Sequence, residues 1–399
     1  MAANAGTAVV GGGPAGLATA ATLVRAGRPV TLLERGDQVG ASWISRYDSL
    51  HLHTVRWLSG LPGMRIPRGY GRWVGRDDLI EYLQEYARSY GLQPELGVIV
   101  ERIDRGKDAA WQVATNAGVR VFSQVVVATG CSHTPRLPDW PGMDSFPGEV
   151  IHSADYREPS SYAGRDVLVV GSGNSATEIA LDLLGADAKV RLSVRTPPTI
   201  LRRDVFGLPI QLLGIGLTKA PATVINPLLT GMRRISIPDL SAQGLPRSQN
   251  PYTHFLETGV VPIIDTGIVA AIRSRQIQVV AAPVMFDGPR VQLSDGTAVE
   301  PDAVIAGTGY TNGLEPMVGH LDVLDSRSEP LVDGADQLPT AMGLYFVGLK
   351  PQSGRPPVGD WHPSAGYWSR NRALDKLIAP RSANHCHRAG RVGSDVLAH

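Results

Sequence analysis

The chain has 399 residues, enough for two or three domains that each bury a core of their own. Its 38 basic and 37 acidic residues leave a formal charge of +1, which argues against nucleic acid or a membrane surface as partner. Two cysteines, Cys131 and Cys386, form no CxxC and no metal spacing; a disulfide framework is not expected, whereas a reducing, cytoplasmic setting is.

The chain is expected to open straight into the first strand, with no basic n-region or cleavage site before it. Ala8-Val9-Val10 reads as a buried parallel strand. Gly11-x-Gly13-x-x-Gly16 follows, with Pro14 and Ala15 inside it, and then an Ala/Leu-rich helix to about Ala26. A second apolar run, Pro29–Leu33, ends on Glu34 and Arg35. In such a turn the first Gly makes a tight bend. The second admits a pyrophosphate, and the third lets helix and strand pack closely. The pyrophosphate sits at a helix N-terminus, and the terminal carboxylate accepts from a ribose hydroxyl.

A loop-rich stretch from Gly36 to Pro62 comes next, carrying Ser42, Trp43 and His53. His53 reads either as a hydrogen-bonding group beside a flat cofactor ring or as a satisfied loop histidine. Arg76–Tyr90 has the spacing of an amphipathic helix, with Leu79, Leu83 and Tyr86 on one face. Val98–Ile103, Trp111–Thr115 and Val119–Phe122 read as a small meander. Gln124–Ala128 is another apolar strand, ending on Thr129-Gly130, where backbone can approach a cofactor. Residues 131–163 are rich in Pro, Gly and Ser and read as a linker.

The opening pattern then returns. Asp166–Val170 is a strand and Gly171-x-Gly173-x-x-Ala176 a second phosphate turn. Asn174 and Ser175 begin its helix, and Lys189–Val194 ends on Arg195. An acid repels a ribose 2′-phosphate, whereas Arg binds it with a charge-assisted fork. The first cleft therefore suits the plain adenosine ribose of FAD and the second suits NADPH. Residues 200–260 are irregular; within them 205–231 is the most apolar stretch, read as a buried or substrate-facing segment against a monotopic membrane contact. Ile277–Val299 reads as hairpins turning at Asp295-Gly296. Ala303–Ala306 is a buried strand ending on Gly307-Thr308-Gly309, and Leu344–Val347 is the last, ending on Gly348. Trp361, Tyr367 and Trp368 read as core or as an aromatic pocket wall. His320, His362, His385 and His387 lack ligand spacing, and no metal is expected.

The expected fold is α/β, with two Rossmann-like dinucleotide-binding domains, the second inserted in the first. Residues 1–155 plus 306–378 form the FAD domain, 156–305 the NADPH domain and 379–399 a tail. Phe146-x-Gly148-x-x-x-His152-x-x-x-Tyr156, between the two turns, resembles the signature of class B flavin-dependent monooxygenases. The loop Gly40-Ala-Ser-Trp43 with Arg46-Tyr47-Asp48-Ser-Leu50-His-Leu52-His53 looks most like the YUCCA-type branch and its bacterial relatives. Arg56 stands where that family usually has Lys, and the chain after Gly348 departs from the family's closing helix.

The resemblance implies that NADPH reduces FAD, and that O2 then adds at flavin C4a to give a hydroperoxide that oxygenates a small molecule. N- or S-oxygenation, or decarboxylating oxidation of an α-keto acid, is expected. Baeyer–Villiger chemistry, a flavin reductase serving a partner protein and a non-catalytic flavoprotein are the alternatives. On this resemblance His53 and Asn174 stand near the chemistry. Gly11, Gly13, Pro14, Ala15, Gly16, Glu34, Arg35, Ser42, Trp43, Val100, Thr129, Gly130, Gly309 and Gly348 line FAD. Gly171, Gly173, Asn174, Ser175 and Arg195 line NADPH. His152 and Tyr156 are expected to brace the linker rather than react. No transmembrane segment is expected; oligomeric state, a homodimer among the options, is left open.

Overall fold

A computed structural model describes residues 6–205, 207–209, 223, 226–227, 230–231, 237–246 and 261–349. Trp361, Tyr367, Trp368, His362, His385, His387, the tail and most of 205–231 and 349–378 lie outside the described residues.

The opening motif folds as read: β1 (Thr7–Val10), α1 (Pro14–Arg25) and β2 (Val30–Leu33). The stretch read as loop holds more order than its composition suggests. It contains the short helix α2 (Ala41–Ile44) and β3 (His51–Val55), which pairs antiparallel with β4 (Trp73–Gly75). Helix α3 (Arg76–Ser89) buries Leu79, Tyr82, Leu83 and Tyr86. β5 (Val100–Arg105), β6 (Trp111–Thr115) and β7 (Gly118–Phe122) form the expected meander, and β8 (Gln124–Val127) returns to the first sheet.

β9 (Thr134–Pro135) and β10 (Glu149–His152) lie inside the stretch read as linker. The second motif is β11 (Asp166–Val170), α4 (Asn174–Gly185) and β12 (Lys189–Ser193). Beyond it come β13 (Ile200–Arg202), the short pair β14 (Asp204–Val205) and β15 (Leu208–Pro209), β16 (Ile263–Asp265) and α5 (Ile268–Arg273). β17 (Ile277–Val280), β18 (Pro283–Asp287), β19 (Arg290–Leu293), β20 (Ala298–Val299), β21 (Ala303–Ala306), β22 (Tyr310–Thr311) and β23 (Leu344–Phe346) complete the set.

Two parallel sheets result, ordered β2-β1-β8-β23 and β10-β21-β11-β12-β17. The first draws its strands from both ends of the described chain, so the second is inserted in it. Two readings are corrected here. β10 is an edge strand of the second sheet, not linker, because Val150 and Ile151 follow β21 in register. Ile277–Val280 is the other edge of that sheet rather than one arm of a hairpin; the antiparallel sheet is β18-β19-β20.

The two halves are built alike. Alternate strand residues face opposite ways. Val9, Leu32 and Val126 meet α1 and α3, while Ala8, Val10 and Val127 meet Trp111, Val113 and Phe122 of the meander. In the second sheet Val167, Val169 and Ile305 meet α4 and α5, while Leu168, Val170 and Val304 meet Phe286, Val291 and Leu293. Both sheets are covered on both faces, which accounts for strands written as unbroken apolar runs. Both point their carboxyl ends, and so their Gly turns, at ligand clefts. Among the described residues no helix is long and apolar enough to cross a membrane.

Candidate active site

The first turn has the shape its sequence demands. Gly11 has φ of 112°, and a Cβ there would lie 2.5 Å from the Ala128 carbonyl oxygen. A Cβ on Gly16 would overlap the Gly11 carbonyl, whereas one on Gly13 would meet nothing within 4 Å. Gly13 therefore faces open space at the start of α1, whose first-turn N–H groups have no capping side chain. Glu34 is buried, and its carboxylate accepts from Gly12 N and, at 2.7 Å, from Gly36 N. These bonds orient it at the cleft. The Gly40 amide donates to the Gly12 carbonyl and brings Ser42 and Trp43 of α2 beside the turn. Val98 N donates to the Glu34 carbonyl, which sets Val100 alongside. Thr129 Oγ1, at the end of β8, is buried and has no hydrogen-bond partner among the described residues. An open Gly cradle, an oriented acid and an orphaned hydroxyl fit an FAD. Arg35 is engaged elsewhere: its Nη1 lies 2.9 Å from His133 Nε2. Gly130, Gly309 and Gly348 all have positive φ, at 82°, 87° and 72°.

The second turn repeats the first. Gly171 has φ of 137°, a Cβ there would overlap the Gly307 carbonyl, and Gly173 faces open space. Arg195 is exposed just past β12, with no ion-pair partner among the described residues. Ser175, the second residue of α4, lies beside the Tyr47 hydroxyl. Asn174, expected near the chemistry, spends its amide on scaffold: Oδ1 accepts from Ile264 N at 2.9 Å and Nδ2 donates to the Pro262 carbonyl at 3.2 Å. It ties α4 to β16.

His53 meets the second half directly. Its Nε2 lies 3.2 Å from Glu178 Oε1 on α4, while its Nδ1 is buried and has no hydrogen-bond partner among the described residues. The Tyr47 hydroxyl donates to Glu178 Oε2. Burial, with Arg203 nearby, pushes His53 down to about 4, so its contact with Glu178 joins a neutral imidazole to a carboxyl and is no ion pair. Burial raises Glu178 to about 7.

Behind this pair stand two guanidiniums that sequence reasoning missed. Arg203 lies over the Trp73 ring at 3.9 Å and donates to the Leu52 carbonyl at 3.0 Å. Its Nε is buried without a partner, and no carboxylate among the described residues pairs with it. Burial lowers its pKa. Arg72 pairs with Asp204 at 2.6 Å, between Trp57 and Trp73. Arg203 sits in a stretch with no motif, so only the fold could bring it to His53.

The signature between the turns is structural. His152 Nε2 donates to the Gly309 carbonyl at 3.0 Å, and its Nδ1 accepts from Ala154 N at 3.1 Å. Tyr156 donates to Asp182 at 2.8 Å, and Phe146 stacks edge-on against Phe286. His320 pairs with Asp104 at the surface, away from either cleft.

Comparison with known proteins follows this geometry. Residues 8–205 match the family model described as pyridine nucleotide-disulphide oxidoreductase. The chain is 35% identical over 360 residues to indole-3-pyruvate monooxygenase YUCCA1 of Oryza sativa subsp. japonica, covering 86% of each. It is 32% identical over 353 residues to the probable indole-3-pyruvate monooxygenase YUCCA4 of Arabidopsis thaliana, covering 86% of this chain and 85% of that one. Its fold matches a flavin-containing monooxygenase from Stenotrophomonas maltophilia with a TM-score of 0.70 at 24% identity, over 94% and 96% of the two chains.

Proposed function

This chain belongs to the class B flavin-dependent monooxygenases and uses FAD, NADPH and O2, and from that premise we propose that it decarboxylates an aromatic α-keto acid oxidatively. The balance is R–CO–COO⁻ + O2 + NADPH + H⁺ → R–COO⁻ + CO2 + NADP⁺ + H2O. The observation that carries the reading is Arg203, a half-buried guanidinium that makes no ion-pair contact among the described residues, with Glu178 and Asp204 acting on it only from further off, stacked on Trp73 beside His53. A carboxylate arriving there gains a charge-assisted, forked contact, and the exposed ring of Trp57 offers apolar surface to an aromatic ring. The relatives' indole-3-pyruvate has both features.

The flavin, when bound, supplies the oxygen chemistry. The chain's part is to hold and shield it. In this reading Gly11, Gly13, Gly16, Glu34 and Thr129 hold FAD, and Gly171, Gly173 and Arg195 hold NADPH. The domain division follows: 1–155 plus 306–378 for FAD and 156–305 for NADPH, with the edge strand β10 passing to the second unit. Ser42, Trp43, Val100, Gly130, Gly309 and Gly348 complete the FAD wall.

The test is a panel of aromatic α-keto acids, amines, sulfides and ketones, scored by product. An acid one carbon shorter, with CO2 matching NADPH consumed, is expected from the keto acid. Arg203→Met should raise KM for that substrate by roughly 10–100-fold and leave an uncharged sulfide unaffected. Turnover of sulfides or amines with no keto-acid product rejects the reading.

A further inference from the structure

We propose that Glu178 is a positioning residue: acting across the boundary between the two nucleotide-binding halves, it dictates which tautomer His53 presents at Nδ1. Glu178 lies one turn into α4, past the second phosphate turn. Both of its side-chain partners, Tyr47 and His53, come from the first half. The Tyr47 hydroxyl is held protonated by burial and by Glu178, and it donates to Oε2. That leaves Oε1 facing His53 Nε2.

A neutral imidazole has one N–H, and the partner of one nitrogen fixes the state of the other. Facing a carboxylate, Nε2 must carry the proton and donate it, leaving Nδ1 a bare lone pair. Facing a carboxylic acid, Nε2 accepts from Oε1–H, and Nδ1 carries the proton. The same carboxyl thus turns Nδ1 from acceptor to donor when one proton is added to the pair. Nδ1 is buried and has no hydrogen-bond partner among the described residues, so the proton it carries or lacks is set by what happens at Nε2.

The charged groups around the pair are few. Arg203 favours the carboxylate and opposes an imidazolium, Asp182 on the same helix opposes the carboxylate, and Arg46 acts on Tyr47. Asp182 is itself held by Tyr156. Burial keeps His53 neutral down to about 4 while Glu178 titrates near about 7, so near neutral pH the proton added is the carboxyl's.

The experiment is long-range 15N–1H correlation on FAD-loaded, 15N-histidine-labelled protein between pH 5.5 and 9, with His53→Gln identifying the resonance. His53 is expected to move from the Nδ1–H to the Nε2–H tautomer as pH rises, without passing through imidazolium. Glu178→Gln should make its shifts independent of pH. Tyr47→Phe, which removes a bond favouring the carboxylate, should move the midpoint to higher pH and serves alone if the Gln variant does not fold. In anaerobic reduction by NADPH, the rate's inflection near pH 7 should disappear in Glu178→Gln with KM for NADPH changed less than twofold. An imidazolium signal in this range, or an unchanged tautomer shift in Glu178→Gln, overturns the proposal.

Discussion

At Gly16 and Ala176 the two phosphate turns carry opposite residue pairs. In the first, the third motif position is Gly, and the residue after the neighbouring strand is Ala128. In the second, the third position is Ala176, fully buried, and the residue after the neighbouring strand is Gly307. A Cβ on Gly307 would stand 2.7 Å from Ala176 Cβ and 3.2 Å from its Cα, so only one of the two sites can carry a methyl group. Gly307→Ala is expected to cost about 1–3 kcal/mol and to weaken NADPH binding. Adding Ala176→Gly, which recreates the first turn's arrangement, should recover most of both. Denaturant unfolding and NADPH titration of the double variant check this, and additive losses reject it. Glu34 carries a heavier duty. Glu34→Ala strands the Gly12 and Gly36 amides and removes the acid at the ribose, at about 1–3 kcal/mol for each buried donor left unpaired. The purified variant should be colourless, and a yellow protein with full FAD content contradicts the assignment. Arg195→Ala, at the exposed end of β12, should cut the NADPH-over-NADH preference by roughly 10–100-fold, read as the ratio of kcat/KM values.

Elements show where sequence was sufficient. β1, β8, β11 and β21 are buried on both faces, so each is an apolar run bounded by Gly or a polar residue, and each was placed to within a residue or two. β10 was hidden because an edge strand of four residues, Glu-Val-Ile-His, lies among prolines and glycines that read as linker. β3 and β4 were hidden because their order comes from pairing across a loop, which leaves no local periodicity. The Glu178 contact was hidden for a related reason, since its partners lie more than a hundred positions away in sequence. The two crossings between sheets also pair, β9 with β22, into a short antiparallel ribbon. Arg46 anchors it, donating to the Ser132 carbonyl at 3.1 Å and to the Tyr310 hydroxyl, with its guanidinium 4.6 Å from the Tyr310 ring centre. His152 meets that ring edge-on from the other side. Losing a cation–π contact of about 1 kcal/mol shifts an opening equilibrium about fivefold. Arg46→Met should therefore speed limited proteolysis at residues 131–136 and 309–313 by roughly that factor. Unchanged cutting there means that the ribbon is held by its backbone pairing alone.

For the whole molecule, buried titratable groups oppose one another across the pH scale. His53 falls to about 4 in the fold from 6.5, and burial lowers His152 and His133 too. The unfolded chain then binds more protons than the folded one. Their contribution is complete above pH 6.5 and is lost as pH falls toward the folded values. Glu178 works the other way: raised to about 7 from 4.5, it binds its proton more tightly in the fold. Its contribution is complete below pH 4.5 and is lost as pH rises through 7. The wild type is therefore pressed from both sides, by histidines that resist charging in acid and by a carboxyl that resists ionising above neutrality. Glu178→Gln removes only the second pressure. The stability of that variant minus that of the wild type should climb from pH 5 to pH 8 and level off above, with a slope of at most ~1.4 kcal/mol per pH unit. Denaturant midpoints of the FAD-loaded proteins at constant ionic strength measure it. A constant offset between the two curves, whatever its sign, means that Glu178 is ionised throughout and that the carboxyl does not govern this boundary.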